Sequence, residues 1–116
     1  MKEYDLIPYP RKLWVSKNLN EINKIKSEFI LSEEDIEYLE SDDYNGLCIP
    51  NVMRKSDEKI GYILIFKELD DDIIIHEVFH VLFNLYLDMG MQISIDMDQE
   101  PFAYYCGYLF NLIKNG

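Results

Sequence analysis

Residues 70–90 read DDDIIIHEVFHVLFNLYLDMG, the longest run of helical signals in the chain. The three acids at its start are typical of a helix N-cap and first turn, where negative charge meets the positive end of the helix dipole. Gly90 is a good C-cap residue, because glycine enters the left-handed conformation without strain. Apart from Tyr86, the polar residues between these ends share a strip of about 120° around the helix. The pattern predicts a long, almost wholly buried helix with one polar strip.

Both histidines of the chain fall in this stretch, as His76-Glu77-Val78-Phe79-His80. Residues four apart differ by about 40° around a helix, so the two imidazoles leave the same face one turn apart. This spacing allows two neutral imidazole nitrogens to bind one zinc ion at ~2.0–2.1 Å. Glu77 is too close in sequence to be a third ligand, but it can reach a metal-bound water. The stretch therefore predicts a metal site on the polar strip.

A catalytic zinc site generally has three protein ligands and one water. The chain has no third histidine and no cysteine close to the pair, so a carboxylate is predicted as the third ligand. Glu100 is favoured, because it opens the last predicted helix on a face where Ala103 and Gly107 permit close packing against the histidine helix. Asp96 and Asp98 are the alternatives. Manganese, iron or cobalt could bind the same ligands in place of zinc.

The pattern His76-Glu77-x-x-His80, followed after nineteen residues by EPFA at 100–103, resembles the HExxH and ExxA motifs of gluzincin metallopeptidases. The resemblance covers residues 70–113. In size the chain is similar to the minigluzincins. Its layout is similar to that of small HExxH proteins encoded by phages and mobile elements.

By that resemblance, the two histidines and Glu100 bind a zinc ion, and Glu77 is the general base that takes a proton from the attacking water. Tyr104 and Tyr108 are the candidates for stabilising the oxyanion, with ordinary packing as the alternative role of each. The Gly-x-Met-Glu-Asn motif that binds the substrate amine in gluzincin aminopeptidases is absent. Aminopeptidase specificity is therefore not implied.

The rest of the chain has the patterns of a small sheet and two further helices. Strands are predicted at 12–15, 47–53 and 60–66, and helices at 19–30, at 33–40 with Ser32 as N-cap, and at about 98–114. The sequence therefore predicts one α+β domain over residues 1–116. It would be a minimal zincin-like domain, in which a small antiparallel or mixed three-stranded sheet packs on the central HExxH helix and a C-terminal helix.

The chain carries a formal net charge of −11, and the segment between Lys67 and Lys114 contains nine acids and no base. Such a surface repels phosphate backbones, so nucleic acid is not an expected partner, whereas a cation or a basic peptide is favoured. No apolar run approaches the ~20 residues of a membrane span, and residues 1–5 are too polar for a signal peptide. We therefore expect a cytoplasmic protein, in the host cytoplasm if it is phage-encoded.

The resemblance implies a zinc-dependent peptidase that hydrolyses peptide bonds in a narrow protein substrate through a metal-activated water. We expect the substrate to pair with a sheet edge formed by Ile60–Phe66. The alternative is a catalytically silent zinc-binding protein, regulatory or phage-encoded, that acts through protein–protein contacts.

Overall fold

The computed structural model describes residues 1–91 and 99–116, and these residues form the predicted α+β fold. The chain divides into two compact units, residues 1–68 and 69–116. The described elements are β1 (Lys2–Asp5), β2 (Lys12–Ser16), a 3-10 turn (Leu19–Glu21), α1 (Ile22–Glu28), β3 (Phe29–Ile30), α2 (Glu33–Glu40), β4 (Gly46–Arg54), β5 (Ile60–Phe66), α3 (Asp71–Asp88) and α4 (Glu100–Asn115).

The first unit contains a mixed sheet with the strand order β1-β2-β5-β4-β3, so the prediction of three strands is wrong. Only β2 and β5 are parallel, and the other pairs are antiparallel. β1 has no apolar alternation, because it is an edge strand that lies mostly in solvent. It is held by pairing with β2 and by ion pairs from Lys12 to Glu3 at 3.1 Å and to Asp5 at 2.6 Å. β3 has only two residues, too few for a sequence period.

The strand β5 lies at the centre of the sheet, between β2 and β4. Six of its seven residues are buried. A Cβ atom on Gly61 would lie 2.0 Å from the carbonyl oxygen of Lys12, so β2 and β5 approach this closely only because residue 61 is glycine. The prediction that a substrate pairs with Ile60–Phe66 is wrong, because both edges of this strand already have partners.

A hydrophobic core lies on one face of the sheet, where it includes residues of α1 and α2. The rings of Trp14 and Phe29 meet edge to face, with centroids 4.8 Å apart. Leu39 of α2 is fully buried in the same cluster. The cluster comprises Trp14, Ile25, Phe29, Leu39, Tyr44, Leu47, Ile49, Val52, Ile63 and Ile65. Burial of these side chains accounts for the docking of the two short helices on the sheet.

The two helices of the first unit follow their predicted positions in part. The Ser32 side chain accepts a hydrogen bond of 3.1 Å from the Asp35 backbone N–H, which confirms Ser32 as the N-cap of α2. The helix predicted over 19–30 instead begins as a 3-10 turn and ends at Glu28. Phe29 is extended because it pairs with Arg54 of β4, a long-range contact that ends the helix early.

The second unit contains α3 and α4, which run antiparallel to each other. The Lys114 ammonium near the end of α4 forms an ion pair of 3.0 Å with Asp71 at the start of α3. At the other end, the ring of Phe102 lies 5.1 Å from that of Tyr86. Among the described residues, no helix has the length and apolar character needed to cross a membrane.

Candidate metal centre

The helix α3 carries the His-Glu-x-x-His pattern, and both of its ends are as the sequence predicts. Asp70 precedes the first helical residue in an extended conformation. At the C-terminus Gly90 has a φ of 70°. The Met91 N–H donates to the Tyr86 carbonyl at 2.8 Å, and the Gly90 N–H donates to Leu87 at 3.1 Å. This is the Schellman arrangement. The helix is continuous from Asp71 to Asp88 and so includes both histidines.

The two histidines face a common point outside the helix. The Nε2 atoms of His76 and His80 are 3.2 Å apart, and their ring centroids are 4.8 Å apart with an angle of 75° between the planes. Two nitrogens bound to one ion at ~2.05 Å with a tetrahedral angle of ~109° would lie ~3.3 Å apart. The distance between these two nitrogens therefore matches that of two ligands on one tetrahedral ion. The same distance also allows an N–H···N hydrogen bond, with a direction that depends on the tautomers.

Glu77 completes a group of three possible donors with the two histidines. One carboxylate oxygen of Glu77 and one nitrogen of each histidine all lie within 4.8 Å of one another. Both histidines are exposed, whereas Glu77 is only 5% exposed. Burial raises the pKa of the Glu77 carboxyl, and the charges of the neighbouring histidines oppose this. The group can hold a metal ion, and the identity of that ion is not determined by these residues alone.

No hydrogen bond holds the Glu77 carboxylate among the residues that the structure describes. A carboxylate offers about four lone-pair sites, so its oxygens can accept from a water or bind an ion. The sequence predicted only that Glu77 contacts a metal-bound water, because Glu77 follows His76 directly and adjacent residues rarely bind one ion together. Ligand atoms on one tetrahedral zinc ion lie ~3.3–3.5 Å apart, so the 4.8 Å that bounds this group leaves room for a water beside Glu77, and direct binding would need its carboxylate to move closer.

An exposed apolar row runs along α3 beside the histidines, so the prediction of an almost wholly buried helix is wrong. The row repeats every four residues, and its members are Ile75, Phe79, Phe83 and Leu87. Leu87 is 60% exposed, whereas the buried residues of the helix lie on another face. The i, i+4 spacing of the row is visible in the sequence, but its exposure is not.

Glu100 is the first residue of α4 and is exposed. It is not a member of the His76, Glu77 and His80 group. Leu109, buried in the packed face of α4, is nine residues further on, which places the two residues about 180° apart around the helix. The role of Glu100 as a ligand stays a prediction. Its rivals Asp96 and Asp98 lie outside the described residues.

The face of α4 that packs against α3 differs from the predicted one. Ala103 and Gly107 are exposed, and a Cβ atom on Gly107 would have no atom within 4 Å. The contacts instead come from the larger apolar residues: the ring of Phe102 lies 5.9 Å from that of Phe79. Bulky apolar side chains bury more area than small ones, so they take the inner face of the helix.

The two tyrosines proposed for the oxyanion lie on the exposed face of α4. Tyr104 is 76% exposed and Tyr108 is 53% exposed. The Tyr108 ring meets the Tyr105 ring edge to face at 5.9 Å. Such exposure argues against core packing as the reason for these tyrosines. Neither residue belongs to the histidine group, and their catalytic role stays a prediction.

Comparison of this chain with models of protein families, with curated proteins and with solved structures finds no match. The residues of α3 are thus the basis for any functional assignment.

Proposed function

We propose that this protein is a zinc-dependent peptidase of the HExxH type, with a zincin-like fold and a gluzincin-like ligand set. The observation that carries the proposal is the 3.2 Å separation of the His76 and His80 Nε2 atoms, close to the ~3.3 Å of two ligands on a tetrahedral zinc ion. The buried Glu77 carboxylate beside them supports a hydrolytic role. The acidic chain, with a net charge of −11, favours a basic protein or peptide as substrate.

A zinc ion bound by the histidines would polarise a substrate carbonyl and lower the pKa of a water towards ~7. Glu77 takes the proton of the attacking water at a carboxylate oxygen and returns it to the leaving amine. Its burial shields this proton transfer from bulk solvent. In this proposal Glu100 is the third ligand, and a tyrosine of α4, Tyr104 or Tyr108, donates a hydrogen bond to the developing oxyanion.

A second candidate is a zinc-binding protein without catalytic activity. It is favoured by the place of Glu77 in the donor group: its oxygen lies within 4.8 Å of both histidine nitrogens, and movement of this side chain towards them would make it a third ligand. A Glu77 that binds the ion directly is the third ligand and is no longer available as a base. The protein would then act through its contacts with other proteins, and its metal would have a structural role.

The variant Glu77→Gln separates the two candidates, because it keeps the size of the side chain and removes its charge. If Glu77 is the base, the variant binds zinc as wild type does and loses cleavage by about 10²–10⁴-fold. If Glu77 is a ligand, its zinc affinity falls by a comparable factor. Zinc content is measured by native mass spectrometry, and cleavage with a library of internally quenched decapeptides.

Two further variants serve as controls for this measurement. Asp72→Asn removes an exposed acid from the first turn of the same helix, and both zinc content and cleavage should be unchanged. Glu100→Gln should lower zinc affinity if Glu100 is the third ligand. Full cleavage by zinc-loaded Glu77→Gln would exclude the peptidase mechanism. Unchanged zinc content in the His76→Ala, His80→Ala double variant would exclude the metal site itself.

A further inference from the structure

A groove lies between α2 and β4 in the first unit, in the part of the chain that precedes the histidine helix. Its volume is about 460 Å³. One wall is the face of α2 that carries Glu34, Glu37 and Tyr38, residues spaced i, i+3 and i+4. The other wall is β4 at Leu47, Cys48 and Ile49. The groove thus joins one helix face to one strand.

The strand wall of this groove is an edge of the sheet. β4 pairs with β5 along one side, whereas β3 covers its other side only at Met53 and Arg54. Beside the segment Gly46–Ile49, no strand of the described residues lies on the groove side. The irregular register between Ile49 and Val52 separates this segment, which β3 does not pair with, from the segment that β3 covers. An edge of this kind can accept an additional strand.

The helix wall of the groove is suited to cations. The carboxylates of Glu34, Asp35 and Glu37 form no ion pair with any lysine or arginine in residues 1–91 and 99–116. Tyr38 is 51% exposed, and its ring is stacked on that of Tyr44 at 6.0 Å. An exposed aromatic ring beside carboxylates can bind ammonium and guanidinium groups through its face. Charge and ring together favour a basic occupant.

We infer that this groove binds an extended basic segment of another protein, which adds as a strand to the Gly46–Ile49 edge of β4. Alternate side chains of an added strand point to the same face of the sheet. Lysine or arginine at alternate positions would then reach the carboxylates of Glu34, Asp35 and Glu37. A second copy of this chain is a poorer occupant, because it would bring its own acidic α2 to the same groove. The inference does not depend on the proposed metal site.

The test uses a fluorescein-labelled hexapeptide in which arginine alternates with threonine. Six extended residues span about 20 Å, enough to cover the four-residue edge of about 13 Å. Two further peptides are matched to it. One has the same composition in block order, and the other is N-methylated at each threonine, which removes backbone donors and keeps the charge. Binding is measured by fluorescence anisotropy, and the contact is mapped by amide chemical shifts of ¹⁵N-labelled protein.

The alternating peptide should bind, and its shifts should fall on Gly46–Ile49 and on α2. The variant Glu34→Gln, Glu37→Gln should bind about tenfold more weakly, as expected for two exposed charge pairs. The control Glu33→Gln, Asp43→Asn removes the same charge from the same region outside the groove. It should change the affinity by no more than about twofold. The N-methylated and block peptides should bind at least about tenfold more weakly than the alternating one.

Four results would overturn the inference. Equal binding of the N-methylated peptide would exclude strand addition. An equal loss of affinity in the control variant would show that the net charge alone attracts the peptide. Shifts outside β4 and α2 would place the contact elsewhere. A dimer in sedimentation velocity, with protected amides at Gly46–Ile49 and no peptide binding, would identify a second copy as the occupant. Circular dichroism of each variant checks that it is folded.

Discussion

If the histidine pair binds zinc as proposed, removal of the ion from the loaded protein should lower its melting temperature, because the ion would bind only where the two histidines are held together. In an unfolded chain His76 and His80 have no fixed separation, whereas on α3 their Nε2 atoms are 3.2 Å apart. Binding to the folded state alone adds stability by mass action. At a free zinc concentration one hundred times the dissociation constant, this stabilisation is about 2.7 kcal/mol. For a chain of this length it corresponds to a shift of roughly 10 °C.

The assay compares thermal unfolding of zinc-loaded protein with that of protein stripped by dipicolinate, with the metal content measured in each sample. His80→Ala should melt at one temperature in both conditions, whereas the control Asp72→Asn should keep the full shift. Hydrogen exchange then locates the effect. Slower exchange in α3 alone fits ligands from one helix. Slower exchange in the first turn of α4 as well fits a third ligand from Glu100.

Equal melting temperatures for loaded and stripped wild type would refute this reasoning, provided that zinc loss is confirmed. A full shift in His80→Ala would refute it as well, because the ion would then be bound somewhere other than the histidine pair.

Two further predictions concern the first unit and α4. The Arg54 guanidinium, which donates to Glu3, holds the pKa of the Glu3 carboxyl at about 2, below its usual 4.5. Glu3 therefore adds stability above pH ~4.5 that is lost as the pH falls towards 2. Urea titrations at the two pH values should give a difference of about 1 kcal/mol for this partly exposed pair, and Glu3→Gln should not show it. Gly61→Ala should cost more than about 3 kcal/mol of unfolding free energy, because its Cβ would lie 2.0 Å from the Lys12 carbonyl oxygen. The matched Gly107→Ala, with open space at its Cβ, should instead add about 0.5–1 kcal/mol, and a loss there would contradict the packing described for α4.

The sequence predicted helical features correctly where the interacting residues are close together in the chain. The apolar period, the acids before residue 71 and Gly90 together predicted α3 and its Schellman end. Ser32 predicted the start of α2, because its side chain accepts a hydrogen bond from the backbone N–H of Asp35, three residues further on. The four-residue spacing of His76 and His80 predicted their shared face, because helix geometry alone brings them together. In each case all the interacting groups lie within one or two turns of one another.

Features that depend on distant partners needed the tertiary structure. β1 and β3 have no sequence period, since backbone pairing with β2 and β4 makes them strands. Ile60–Phe66 was recognised as a strand, but its place at the centre of the sheet depends on pairing with β2, whose residue Lys12 lies opposite Gly61, and on the close approach at that glycine.

The sequence by itself determined the donor pair of the candidate metal site, and the tertiary structure decided what surrounds it. Periodicity indicates which residues of α3 share a face, but not which face meets solvent. Phe79 and Phe83 are exposed beside the histidines although they are apolar, and Glu100 lies on the outer face of α4. Exposure is a property of the packed chain, because it depends on which of several apolar faces finds a partner. A helix supplies its own hydrogen bonds and so can be predicted from its own residues, whereas burial requires residues that the helix does not contain.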